Sequence, residues 1–145
     1  KMDEIDINKF FGKGVLIDAR GEEKVNTSLL KNVLIEEGSI VLVFTGFGSK
    51  YREKSYYENY PTITEDFAQK MVDLKVKIVG MDILGPDQPP FLTHKKLLGN
   101  EILIIENLTN LDQLIDVKKF EVIALPAKFS ADAAPVRVIA KILLN

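Results

Sequence analysis

The chain contains no cysteine, which excludes disulfide bonds, thiolate zinc sites and cysteine nucleophiles. It has no apolar run near the ~20 residues of a membrane-spanning helix and no apolar N-terminal segment of the signal-peptide type. Its net charge is only −2, without the clustered basic surface of a nucleic-acid-binding protein or the high charge of a disordered chain. We therefore expect a cytoplasmic globular protein that binds neither membranes nor nucleic acids.

The pattern of apolar residues predicts one α/β domain over residues 1–145, without repeats or linkers. Continuous apolar runs predict strands at residues 15–17, 40–44, 76–81, 102–105, 120–125 and 136–144. Helical spacing predicts helices at residues 27–35, after a capping box at 62–65, at 94–98 and at 108–115. Residues 46–61 and 84–90 are rich in Gly, Tyr, Ser or Pro and predict loops. Strands that alternate with helices indicate a mixed, largely parallel sheet flanked by helices.

Polar residues follow four of the predicted strands: Asp18, Thr45, Asp82 and Glu106. In α/β sheets, ligands bind outside the carboxyl ends of the strands. If these strands are parallel neighbours, the four residues line one rim and mark a site. The alternative is that any strand ends in a polar residue where it reaches the surface.

The single histidine, His94, is the main candidate for chemistry because imidazole binds metals and transfers protons. A lone histidine is more often a surface residue or one with ordinary partners. The preceding Pro89-Pro90-Phe91 should hold its loop stiffly, and Glu106 ends a buried strand twelve positions later. A carboxylate there needs a partner or a metal. These two residues supply two ligands, whereas a catalytic zinc normally has three from the protein.

Other chemistries find weaker support. The segment Gly46-Phe47-Gly48-Ser49-Lys50 follows a strand as phosphate loops do, but the dinucleotide and Walker patterns both fail. No serine occupies a Gly-x-Ser-x-Gly elbow. The loop at 46–61 carries four tyrosines: Tyr51, Tyr56, Tyr57 and Tyr60. They could form an aromatic wall for a flat substrate or contact another subunit. The simplest interpretation is that they pack within the loop.

Several segments resemble, in order, the cyclase / kynurenine formamidase family. His94-Lys95-Lys96-Leu97-Leu98 is similar to its His-x-x-Leu-Leu segment, and residues 104–111 resemble its Ile-x-Glu-Asn-Leu-x-Asn-Leu motif. Similar matches cover its Gly-Ile-Asp strand and its closing segments, in Gly80-Met81-Asp82, Ala124-Leu125-Pro126 and Pro135-Val136-Arg137. The resemblance covers most of the chain and implies a cyclase-like swivelling β/α architecture.

The resemblance implies a metal-dependent hydrolase of a small amide, a formamide such as N-formylkynurenine, or a lactam, with a role of the kynurenine formamidase type in tryptophan catabolism. Zinc or manganese would activate a water molecule, and a homodimer or homotetramer is expected. His94 and Glu106 correspond to metal ligands of the family, whereas no catalytic proton carrier is identified. Five further residues are expected to support these ligands or contact substrate: Asn107, Asp82, Asp87, Thr45 and Gly46.

The chain lacks the family's N-terminal His-x-Gly-Thr-His-x-Asp-x-Pro-x-His motif, which carries most of its metal ligands. We expect that an N-terminal segment is missing from this chain or lies on a separate one. The alternative is a degenerate homologue that acts as a non-catalytic ligand-binding or interaction module.

Overall fold

The computed structural model describes residues 1–143 and contains one six-stranded sheet. Four neighbouring strands are parallel: β1 (Phe11–Asp18), β3 (Ile40–Phe44), β5 (Ile78–Met81) and β6 (Leu103–Ile105). Two antiparallel strands extend the sheet beyond β1: β7 (Phe120–Ile123) and β8 (Ile139–Ile142). The strands lie in the order β6-β5-β3-β1-β7-β8, which confirms the prediction of a mixed, largely parallel sheet.

Strand β3 shows how the core is divided between the two faces of the sheet. All five of its residues are buried, because side chains alternate between faces and both faces are covered. Val41 and Val43 belong to one apolar cluster, together with residues of helices α2 (Glu65–Asp73) and α3 (Leu92–Gly99). Ile40, Leu42 and Phe44 belong to the second cluster, which includes Leu111 and Leu114.

Helix α2 begins differently from the prediction. Thr62–Ile63 form strand β4, which pairs in parallel with β2 (Lys24–Val25), so the capping box at 62–65 is wrong. Thr64 is the N-cap residue, but its side chain accepts no hydrogen bond from the first N–H groups of the helix. Its hydroxyl donates to the Val25 carbonyl at 2.9 Å. Phe67 and Met71 are buried as predicted.

The acidic residue Asp66 ties the first turn of α2 to the preceding segment. It accepts a hydrogen bond from the Thr27 hydroxyl at 2.8 Å. The neighbouring Thr64 side chain and the hydrogen bond from the Thr27 hydroxyl lower the pKa of Asp66 to about 2. An anion at this end of the helix also interacts favourably with the helix dipole.

The predicted helix at 27–35 is wrong. Only a 3-10 turn forms, at Thr27–Leu30, with the Asn26 side chain accepting a hydrogen bond from the backbone N–H of Ser28. Asn32 adopts a positive φ of 67°, a left-handed conformation that cannot continue a right-handed helix.

Other element bounds also differ from the predictions. The loop at 46–61 contains a 3-10 turn, Phe47–Lys50, and helix α1, Lys54–Glu58. The helix predicted at 108–115 is a 3-10 turn at Leu111–Leu114. The last strand ends at Ile142, and Leu144, where we predicted its end, lies outside the described residues. Within residues 1–143, no helix has the length and apolar character needed to cross a membrane.

Candidate metal centre

The carboxyl ends of the four parallel strands form the rim that the sequence predicted. Asp18 ends β1, whereas Thr45, Asp82 and Glu106 directly follow β3, β5 and β6. The strand order places them along one edge as Glu106, Asp82, Thr45 and Asp18. Asp18 binds the Arg20 guanidinium, and this hydrogen bond lowers the pKa of the carboxyl group.

Asp82 fixes the start of the segment that follows β3. Its side chain is buried, with 3% of the residue exposed. One carboxylate oxygen accepts hydrogen bonds from the Thr45 backbone N–H and hydroxyl, both at 2.8 Å. The other accepts from the N–H groups of Gly46 at 2.8 Å and Gly48 at 3.4 Å. The Asp82 carboxylate therefore contacts both Thr45 and Gly46. A role of these three residues in supporting a metal ligand or contacting substrate stays a prediction.

Asp87 orients the imidazole of His94. One of its carboxylate oxygens lies 2.5 Å from His94 Nδ1, and the other accepts a hydrogen bond from the Thr93 N–H at 2.7 Å. Thr93 lies in the first turn of α3, where backbone N–H groups lack partners within the helix. The ring of Phe91 packs edge-on against His94, with centroids 5.5 Å apart. This geometry favours a proton on Nδ1 and leaves the lone pair of Nε2 for another partner.

His94 Nε2 faces Glu106. It lies 3.4 Å from Glu106 Oε1, and the two side chains are 25% and 38% exposed. In a neutral imidazole with its proton on Nδ1, both facing atoms carry lone pairs, and a cation between them would attract both. Two ligands bound tetrahedrally at about 2.1 Å stand roughly 3.4 Å apart, which is the separation found here.

Gly85 leaves the space beside this pair open. A Cβ atom at position 85 would lie 3.0 Å from Glu106 Oε1 and 3.3 Å from His94 Cε1, closer than side-chain contacts normally allow. This role of Gly85 was not apparent from the sequence, because Gly85 occurs in a loop where glycine is expected anyway.

Asn107 follows Glu106 in a left-handed conformation, with φ of 57°. Its side-chain oxygen accepts a hydrogen bond from the Tyr56 hydroxyl at 2.7 Å, and its backbone N–H donates to the Ile83 carbonyl at 3.0 Å. Burial, with smaller contributions from Asp82 and other neighbours, raises the pKa of Tyr56 to about 12. The sequence did not distinguish Tyr56 from the other tyrosines of its segment.

The His94–Glu106 pair borders two cavities. The smaller measures about 420 Å³ and is walled by Tyr57, Tyr60, Pro89 and Phe91. The larger, about 1030 Å³, lies on the sheet face of the second apolar cluster, between residues that include Leu42 and Val136. The smaller cavity has the size and aromatic lining typical of a site for a small ligand.

The residues present fit part of a metal centre. The oriented imidazole nitrogen of His94 and a carboxylate oxygen of Glu106 lie close together beside Gly85, which has no side chain to fill the space. Such donors suit zinc or manganese. Within residues 1–143, no group of three or more metal-binding side chains converges on one point. Asp87 contacts the far nitrogen of His94 and therefore supports the imidazole without completing the centre.

Comparisons with known proteins agree with this architecture. An uncharacterised protein of Methanocaldococcus jannaschii is 41% identical over 103 residues, 70% of this chain and 53% of that protein. Kynurenine formamidase of Bacillus mycoides is 29% identical over 96% of this chain and 66% of its own length. A solved structure described as a potential metal-dependent hydrolase with cyclase activity is 28% identical, with a TM-score of 0.79 over 99% of this chain and 71% of that one.

The chain thus spans about half to two thirds of the curated relatives that it matches. The family model described as putative cyclase matches residues 1–88, which is more than half of the chain. The chain belongs to the putative cyclase family.

Proposed function

We propose that this protein is a metal-dependent hydrolase of a small amide, formamide or lactam, with His94 and Glu106 among its metal ligands. The observation that carries the proposal is the 3.4 Å approach of His94 Nε2 to Glu106 Oε1 while Asp87 binds the opposite imidazole nitrogen. Carboxylate–histidine pairs of this kind orient metal-bound imidazoles in many metalloproteins.

Each residue of the centre has a separate task. Asp87 keeps the His94 proton on Nδ1, so that Nε2 offers its lone pair, and Glu106 offers an anionic oxygen. Gly85 keeps the space beside them open. A divalent ion bound there would supply Lewis acidity, which polarises the substrate carbonyl and makes a bound water molecule more acidic.

The proposed reaction replaces the carbon–nitrogen bond of the substrate with a carbon–oxygen bond from water, and the nitrogen leaves carrying a proton. The named relative, a kynurenine formamidase, favours a formamide of the N-formylkynurenine type. The cavity of about 420 Å³, with Tyr57, Tyr60 and Phe91 in its wall, offers a flat apolar surface for an aryl group. We place the substrate there.

The proposal includes metal ligands from outside residues 1–143. A catalytic zinc normally takes three protein ligands, and the described residues bring two together. The cavity of about 1030 Å³ opens at the same pair and offers room for another segment of the protein or of a neighbouring subunit. A homodimer or homotetramer is the assembly that we propose.

Removal of the metal tests this function. The natural protein as isolated should contain about one or two zinc or manganese ions per protomer, measured by plasma mass spectrometry. Chelation should abolish hydrolysis of N-formylkynurenine, formanilide or isatin, and added metal should restore it. A metal-free protein whose properties do not respond to chelator or added metal would contradict the proposal and favour a ligand-binding module.

A further inference from the structure

Residues 46–61, between β3 and β4, form a segment that we call the tyrosine loop. This loop contacts the surroundings of the candidate metal centre at two points. The Tyr56 hydroxyl donates to Asn107 Oδ1 at 2.7 Å, and Asn107 directly follows Glu106. The Tyr60 hydroxyl donates to the backbone carbonyl of Asp87 at 3.1 Å. Each candidate ligand is therefore linked to a tyrosine through one other residue: Asn107 follows Glu106 in the chain, and Asp87 contacts the His94 ring.

The tyrosine loop is held firmly at its start and in its middle. Asp82 binds its first residues through the N–H groups of Gly46 and Gly48. Tyr56 is the one buried residue of helix α1, with 1% of its surface exposed. Its ring centroid lies 5.3–5.9 Å from those of three neighbours, Phe47, Tyr51 and Tyr57. Packing and hydrogen bonding thus both determine where the Tyr56 hydroxyl lies.

The backbone around Glu106 is also fixed on its far side. The N–H groups of Asn107 and Leu108 donate to the carbonyls of Ile83 and Met81, at 3.0 and 2.9 Å. Asn107 has a positive φ of 57°, which asparagine tolerates better than most residues. The hydrogen bond from Tyr56 also holds the Asn107 side chain, so the residue that follows Glu106 is held through both its backbone and its side chain.

We propose that Tyr56 and Tyr60 are positioning residues that hold Glu106 and His94 at the separation a divalent ion requires. The inference rests on the proposed metal-dependent function and assigns the tyrosine loop a part in it. Loss of groups that orient metal ligands typically weakens metal binding about 10- to 100-fold. Neither tyrosine needs to touch the metal for this effect.

Both phenols act as hydrogen-bond donors at neutral pH. Burial, with smaller contributions from Asp87 and Glu106, raises the pKa of Tyr60, and the pKa of Tyr56 is about 12. The loss of each donor can therefore be studied by replacing tyrosine with phenylalanine, which keeps the ring and removes the hydroxyl group.

The test compares Tyr56→Phe and Tyr60→Phe with Tyr51→Phe in the intact natural protein. Tyr51 belongs to the same loop and packs on Tyr56, but it is 54% exposed and does not line the smaller cavity. Zinc affinity is measured by competition with a chromophoric chelator, and thermal stability is followed in parallel. The ¹⁵N signals of the His94 ring are recorded without metal and assigned by their loss in His94→Gln.

The expected result is zinc binding about 10-fold weaker in Tyr56→Phe and Tyr60→Phe and unchanged in Tyr51→Phe. Tyr60→Phe should also shift the ring signals of His94, which Tyr51→Phe leaves in place. Zinc affinity equal to that of the unaltered protein in both Tyr56→Phe and Tyr60→Phe would overturn the positioning role. If the unaltered protein binds no zinc, the proposed function fails, and the positioning role then stands or falls with the His94 signals.

Discussion

Glu106→Gln should weaken zinc binding by more than about 100-fold and abolish hydrolysis. Loss of groups that only orient metal ligands costs about 10- to 100-fold in affinity, and this change removes a ligand charge itself. The amide has nearly the shape of the carboxylate, so the fold should be preserved. Competition with a chelator gives the affinity, and product formation from a formamide gives the rate.

Glu101→Gln is the matched control for this change. Glu101 lies just before β6 and its side chain is 84% exposed, in a surface ion pair with Lys9. Such pairs contribute about 0–1 kcal/mol to stability, so this variant should bind zinc like the unaltered protein. Equal loss of affinity in both variants would show that zinc binds nonspecifically to surface carboxylates.

Asp82→Ala should lower the free energy of unfolding by about 3 kcal/mol. The carboxylate accepts hydrogen bonds from three backbone N–H groups, those of Thr45, Gly46 and Gly48, and from the Thr45 hydroxyl. Each buried donor left without a partner costs about 1–3 kcal/mol, and water entering the space would reduce the total. Urea denaturation followed by circular dichroism measures the difference.

Asp116→Ala provides the comparison, because Asp116 is an exposed carboxylate on the same chain. Surface substitutions of this kind usually change stability by no more than about 0.5 kcal/mol. If Asp82→Ala were as stable as Asp116→Ala, the hydrogen bonds at the rim would not hold the tyrosine loop. The proposed support of the candidate metal centre by the tyrosine loop would then lack its structural basis.

The sequence predicted the rim of the sheet because the rule behind it is geometric. Parallel strands place their carboxyl ends together, so polar residues after β3, β5 and β6 lie along one edge when these strands are neighbours. Glu106 lies close to His94 because α3 leads directly into β6, so that the start of the helix lies beside the end of the strand. The family resemblance pointed to His94 and Glu106 as candidate metal ligands, which spacing alone did not provide, and that assignment stays a prediction.

The sequence did not predict features that depend on contacts between distant segments. Thr62–Ile63 became a strand because β2 lies beside it, and no local pattern in four residues reveals such a neighbour. Tyr51, Tyr56 and Tyr57 have similar sequence surroundings, yet only Tyr56 is buried among them. Its burial follows from how a five-residue helix lies on the body of the protein, which tertiary packing decides.

The most direct test of the metal centre is anomalous X-ray scattering at the zinc edge from crystals of the zinc-loaded natural protein. We predict a peak about 2.0–2.2 Å from both His94 Nε2 and a carboxylate oxygen of Glu106, with Asp87 still bound to Nδ1. A peak elsewhere, or a zinc-loaded protein in which His94 and Glu106 do not contact the ion, would contradict the account.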